Sequence, residues 1–124
     1  MAATLLAACA TTKPADSLVR ERAQARWDAV LLRDYDTAYS FLSPGYRSSH
    51  SRVDFEIGLR TRRILWTSAK VQEVSCEADS CTVQTDVGYK VVKPVPGVNE
   101  WKSHDNLEER WVRTEGQWWY LPDK

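Results

Sequence analysis

Apolar residues recur at intervals of three and four along the first half of the chain, and at intervals of two along the second. Val19, Ala23, Trp27, Val30 and Leu31 form one stripe of a helix from Ser17 to Arg33, and Arg20, Glu21, Arg26 and Arg33 take its other faces. Asp16 or Ser17 stands where a side chain can accept the unpaired amides of its first turn. A second, shorter helix follows Asp34 or Asp36, carries Tyr35, Ala38, Tyr39 and Leu42 on one side, and stops at Ser43-Pro44-Gly45. Tyr46 to Ser51 reads as loop. Ser51, with Asp54 three residues on, opens a third helix through Phe55, Ile57 and Leu59 that ends in the basic run Arg60, Arg62 and Arg63.

From Ile64 the period changes to that of a strand. Ile64 to Cys76 is the first strand, and its apolar positions lose parity near Gln72-Glu73, which predicts a bulge there. Thr82 to Val92 is the second, with Val83, Thr85, Val87, Tyr89 and Val91 on one face and Gln84, Asp86, Gly88 and Lys90 on the other. The prolines of Lys93-Pro94-Val95-Pro96-Gly97 open a loop that reaches to Asp105. Asn106 to Arg113 is the third strand, Glu115-Gly116 turns the chain, and Gln117 to Leu121 is the fourth. The expected fold class is α+β, with three N-terminal helices packed on one face of a curved four-stranded antiparallel sheet.

At 124 residues and 43% hydrophobic side chains, with six Trp, the chain forms one domain. Seventeen basic and seventeen acidic residues cancel, which removes the electrostatic case for a nucleic-acid partner. Cys76 and Cys81 stand at the two edges of the Glu77-Ala78-Asp79-Ser80 segment between the first two strands. They predict a structural disulfide across a hairpin, contributing about 2 kcal/mol. Metal and redox readings are weaker. The two His are far off in sequence, and the cysteines lack the C-x-x-C spacing, so neither a metal site nor a cofactor is expected.

The third cysteine has its own explanation. Leu5-Leu6-Ala7-Ala8-Cys9 closes a short apolar run, and it resembles the lipobox of bacterial lipoproteins. That resemblance implies a signal remnant over residues 1–8, lipidation of Cys9 with a tether over residues 9–16, and the globular domain over residues 17–124. It also implies the periplasmic face of a membrane, the outer one in a Gram-negative host because Ala10 rather than Asp follows the cysteine. Such a compartment is oxidising, which agrees with a bridge between Cys76 and Cys81.

Arg26-Trp27-Asp28-Ala29-Val30, Arg33 to Tyr39, and Phe41-Leu42-Ser43-Pro44-Gly45-Tyr46-Arg47 look like the opening of nuclear transport factor 2-like domains. This is the cystatin-like cone shared by ketosteroid isomerase and polyketide cyclases. Glu109-Arg110-Trp111-Val112 and Glu115 to Tyr120 are similar to that family's last hairpin. The resemblance implies a space between helices and sheet, and, in the family's enzymes, a carboxylate inside it with a Tyr or His. Asp28, Tyr35, Tyr39, Asp86, Tyr89, Glu109 and Trp111 are the residues that would be placed there. An isomerase-like base would be Asp86 or Glu109 with Tyr39 as donor, although alternation turns Asp86 outward. Fold is a poor guide to activity.

No nucleophile motif or phosphate loop accompanies these residues, and His50 and His104 both fall in expected loops. Aromatic residues gather in the sheet half. Trp118 and Trp119 point to opposite faces, so one of them meets something other than the helix-facing core. Tyr39, Tyr89, Trp101, Trp111, Trp118 and Trp119 are therefore the expected binding residues, with Trp101 an exposed anchor in its loop. The leading expectation is a non-enzymatic domain, held to the membrane at Cys9, that engages an envelope protein or a small apolar ligand. An isomerase- or cyclase-like enzyme and a sheet-to-sheet homodimer are the alternatives.

Overall fold

The computed structural model describes residues 13–92 and 95–123, so the Leu5 to Cys9 motif and Pro94 lie outside it. Ala15–Leu31 is the first helix, α1. It begins two residues before Ser17, with Pro14 at the cap position and no side-chain cap, and Asp16 instead accepts from the Ser17 amide. Its end is tight. Arg33 takes φ 58°, and the amides of Arg33 and Asp34 turn back to the carbonyls of Val30 and Ala29 at 3.1 and 2.9 Å. Tyr35–Ser40 is α2, opened by the Asp34 carboxylate accepting from Thr37 N–H.

The three expected helices are all present, and a fourth, one-turn helix lies between the second and third. Residues 46–51, expected as loop, largely belong to α3, Pro44–Ser49, whose first amides are capped by Ser43 accepting from Tyr46 N–H. Proline stops a preceding helix but also suits the first position of the next, so Pro44 does both. Arg52–Arg60 is α4, capped by Ser51 as the sequence predicts.

Four strands follow as an antiparallel meander: β1 Ile64–Glu77, β2 Ser80–Val92, β3 Glu100–Thr114 and β4 Gln117–Leu121, paired in that order. The register of β1 slips between Val71 and Glu73, as expected, and again between Trp66 and Ser68. Gly88 of β2 makes room at the second slip, where a Cβ would come within 2.4 Å of Ser68 Oγ. Cys76 and Cys81 are direct partners across the hairpin and are joined as a disulfide.

The largest departure from expectation is β3, which begins at Glu100 rather than Asn106. Trp101 and His104 thereby move from a loop onto a strand, paired with Val91 and Gly88. Val95-Pro96-Gly97-Val98 is not a long loop but a tight turn, with Gly97 at φ 85° and Val98 N–H donating to Val95 at 3.2 Å. Glu115 and Gly116, both at positive φ, close the last hairpin.

Alternation on β2 places Cys81, Val83, Thr85 and Val87 inward and leaves Asp86 exposed. Val19 and Ala23 of α1 meet this face, together with Val71, Trp111 and Trp118, to make the core. Arg26 is a correction to the helix reading. It lies on the buried stripe with Val19, Ala23 and Trp27 rather than on a solvated face. The helix also completes the border of the sheet. Gln24 donates to the Ala69 carbonyl at 3.0 Å and accepts from Val71 N–H at 2.9 Å, and Arg20 donates to Val71. At the other border, Phe41 and Ser43 exchange hydrogen bonds with the backbone of Tyr120 in β4.

Candidate functional site

The inner face of β3 carries Leu107, Glu109 and Trp111, directly opposite Thr85, Val83 and Cys81 of β2. Trp111 is filled over by the core, but toward Leu107 the helices diverge from the sheet. A cavity of about 380 Å³ opens there between α1, α3, α4 and the last two strands. Trp27, Leu42, Phe55, Leu59, Trp66 and Leu107 give it apolar walls. Its size falls in the ordinary range for small-molecule sites.

Arg26 and Glu109 border this cavity from within, 6% and 5% exposed, and form an ion pair across 83 positions of sequence. Arg26 Nη2 donates to Glu109 Oε2, and Trp27 Nε1–H donates to Oε1 at 3.2 Å. Burial pushes the Glu109 carboxyl above its ordinary range, while the Arg26 charge and the Trp27 hydrogen bond oppose it. The guanidinium lies over aromatic rings, 4.0 Å from the Tyr120 centroid and 4.7 Å from that of Trp27. Tyr120 of β4 also borders the cavity. Burial lifts its phenol to about 12, with Arg26 opposing and Glu109 and Asp123 adding, so near neutral pH its hydroxyl keeps its proton.

The outer rim is polar. Tyr46 of α3 and His50 just beyond its end stack face to face with centroids 3.9 Å apart, and Asp54, Arg62 and Asp123 complete it. Among the described residues no three His, Cys, Asp or Glu side chains gather as metal ligands. With both Glu109 oxygens engaged, the site can enclose a small molecule between aromatic walls. It presents Tyr120 as hydrogen-bond donor and the rim as a set of polar contacts.

Of the carboxylates weighed from sequence, Glu109 lies in the cone, whereas Asp86 and Asp28 are exposed. None of the six expected binding residues borders the cavity. Tyr39 donates to the His50 carbonyl at 2.6 Å and packs on Phe55, which fixes α3 and α4 from behind. Tyr89 stands edge-on to Trp66 at 6.0 Å and so supports a cavity wall. Trp111 and Trp118 are core residues, which settles the fate of one of the two opposed tryptophans. Trp119, the other, is half-buried with the guanidinium groups of Arg22 and Arg47 each 5.3 Å from its ring. Trp101 is 62% exposed, and Cys9 lies outside the described residues. Arg26, Tyr46, Tyr120 and Asp123 carry site roles that sequence reading missed. For Arg26 there was a signal, since it shares the helical stripe of Val19, Ala23, Trp27 and Val30.

No protein-family model matches the sequence, and no curated protein matches it. Solved structures do match in shape. A SEC-C motif containing protein from Rhodopseudomonas palustris superposes with a TM-score of 0.59 at 16% identity, over 82% of this chain and 73% of that one. A protein of the NTF2-like family from Streptomyces avermitilis gives 0.58 at 13% identity, over 86% and 95%. An LEH-like epoxide hydrolase from M. tuberculosis gives 0.55 at 12%, over 89% and 80%. With helices packed on a four-stranded antiparallel sheet in the same arrangement, the chain has the nuclear transport factor 2-like fold.

Proposed function

We propose that the domain is a small-molecule binding module, lipid-anchored at Cys9 on the periplasmic face of a bacterial membrane. The cavity carries this reading: about 380 Å³ of space between Trp27, Trp66, Phe55 and Leu107, left open beside the packed cluster of Val19, Ala23, Val83 and Trp111. An open space of this kind forfeits packing that the fold would otherwise gain, which favours an occupant over a defect. Binding ranks above catalysis because Glu109, the carboxylate inside the cone, already accepts from Arg26 and Trp27. Each of its oxygens is held by a donor, and the Arg26 charge beside it opposes its taking up a proton.

Indole, a neutral apolar probe, tests the cone. Titration followed by backbone NMR is expected to move the amides of Trp27, Trp66, Leu107 and Tyr120 saturably. Leu107→Trp, which fills the space, is expected to weaken binding at least about tenfold while leaving the fold intact. Equal binding by both proteins would sink the reading. Trp101, exposed beside Val95 and Val98, supports a second reading in which an envelope protein docks at that tip, and shifts confined to Trp101 and its neighbours would favour it.

The anchor rests on Leu5-Leu6-Ala7-Ala8-Cys9, and a disulfide between Cys76 and Cys81 suits the same oxidising compartment. Metabolic labelling with a palmitate analogue is expected to mark the wild-type protein and not Cys9→Ser. An unlabelled wild type in a bacterial host would remove the anchor from the proposal.

A further inference from the structure

The polar groups around the cavity are unevenly divided between donors and acceptors, and the imbalance identifies a ligand class. His50 supplies the first observation. Its Nδ1 is 3.1 Å from the Tyr46 carbonyl and 3.0 Å from Ser49 Oγ. A carbonyl can only accept, so the proton sits on Nδ1. Ser49 Oγ in turn donates to the same carbonyl at 3.2 Å, which leaves its oxygen free to accept from the ring. In that tautomer Nε2 is the lone-pair acceptor, and stacking on Tyr46, with the rings 2° from parallel, fixes its orientation.

Charge is the second observation. Arg26 and Glu109 neutralise each other inside the cone. On the rim, the carboxylates of Asp54 and Asp123 stand against a single guanidinium, Arg62, and none of the three is in an ion pair among the described residues. A third observation comes from the protein's own side chain. The cation of Arg26 lies over the rings of Tyr120 and Trp27 and donates to the Glu109 carboxylate. The aromatic and carboxylate groups of the cone thus already accommodate one positive group.

Taking the cone as a ligand site, which this inference rests on, we propose that its ligand is a protonated small amine with an apolar, ring-sized body. The ammonium sits at the rim, where its hydrogens meet His50 Nε2 and the Asp54 and Asp123 carboxylates. The body lies against Trp66, Phe55 and Leu107. A carboxylate ligand would instead bring like charge to that rim with only Arg62 to receive it. A neutral ligand would gain the walls and leave the rim unused.

Three probes that share one indole body separate these cases: tryptamine, tryptophol and indole-3-acetate, titrated into the protein at pH 7.5 and low ionic strength with calorimetric and NMR readouts. Tryptamine is expected to bind about tenfold more tightly than tryptophol, and indole-3-acetate more weakly than either. In Asp54→Asn/Asp123→Asn the preference for tryptamine should fall at least about threefold, while tryptophol affinity stays as in the wild type and reports an intact cone. Equal or inverted affinities of tryptamine and tryptophol overturn the amine assignment while leaving the cone reading standing. An unchanged preference in the double variant overturns it too. Failure of all three probes to shift cavity amides overturns both readings.

Discussion

Arg26→Met is expected to destabilise the fold by about 3–5 kcal/mol near neutral pH, and by clearly less near pH 5. The substitution keeps much of the side-chain volume but removes the positive charge that Glu109 faces in the interior. Burial already holds the Glu109 carboxyl above its ordinary range, and Arg26 is the main influence pulling it back down. Without Arg26 the folded-state value rises further. The folded protein then binds a proton at pH values where the unfolded chain, with a carboxyl near about 4.3, has released it. Stability attached to that proton is complete below the unfolded value and is lost as pH rises through the folded one, so the penalty grows toward neutral pH. Arg26→Met/Glu109→Met, which replaces both charges by apolar groups, should restore stability to the wild-type level or above it. Urea unfolding across pH 5 to 8 measures all three proteins. A flat pH profile for the single variant, or a double variant as weak as the single, would show that the pair is not buried as described.

Trp111→Ala is the other large effect, expected at about 3–5 kcal/mol against a total stability for such a domain of about 5–15 kcal/mol. Trp111 is fully buried and touches every layer of the core: Phe41 at 6.4 Å and Tyr120 at 5.9 Å between ring centroids, with Val19, Ala23 and Cys81 around them. Its loss leaves a void that these ring-shaped neighbours cannot close, because they are held by backbone pairing on either side. Trp111→Phe retains most of the apolar contact and should lose about half as much or less. A Trp111→Ala cost below about 1.5 kcal/mol in denaturant titration would be incompatible with a core centred on this residue.

The elements themselves were largely legible in the chain, because both periodicities are strong here. The stripe of Val19, Ala23 and Trp27 identifies α1, and Val83, Thr85 and Val87 identify the inward face of β2. The start of β3 was not legible. Glu100 to Asp105 is polar and alternates poorly, and it is a strand because Val87 to Val92 supplies a complete row of partners across the turn. The turn residues Val95-Pro96-Gly97-Val98 did carry the signal of a short connection, with proline second and glycine third.

The site was less visible than the fold. Glu109 could be named as a carboxylate of the cone, but its partner Arg26 is 83 positions away, and charge alone argues for a solvated face. The aromatic residues misdirected attention for a related reason. Trp is the residue expected at binding surfaces and also the one that fills a core, and nothing local separates the two uses. Trp27 and Trp66 border the cavity, whereas Trp111 and Trp118 are packing. The difference is set by where the helices leave the sheet, which is a tertiary property.

The sheet ends differently on its two sides. Along β1 the helix lends Gln24 and Arg20 as substitute strand partners, so the backbone groups of Ala69, Val71 and Gln72 that another chain would seek are already taken. On the far side β4 pairs only with Arg110 to Thr114, and among the described residues β3 from Glu100 to Glu109 has no strand neighbour on that side. That open stretch carries Glu100, Lys102, Asp105 and Glu108, whose charge an added strand would have to desolvate. Resistance to fibril-like growth is therefore built in two currencies, occupied hydrogen bonds on one border and fixed charge on the other, and only the second is weakened by salt.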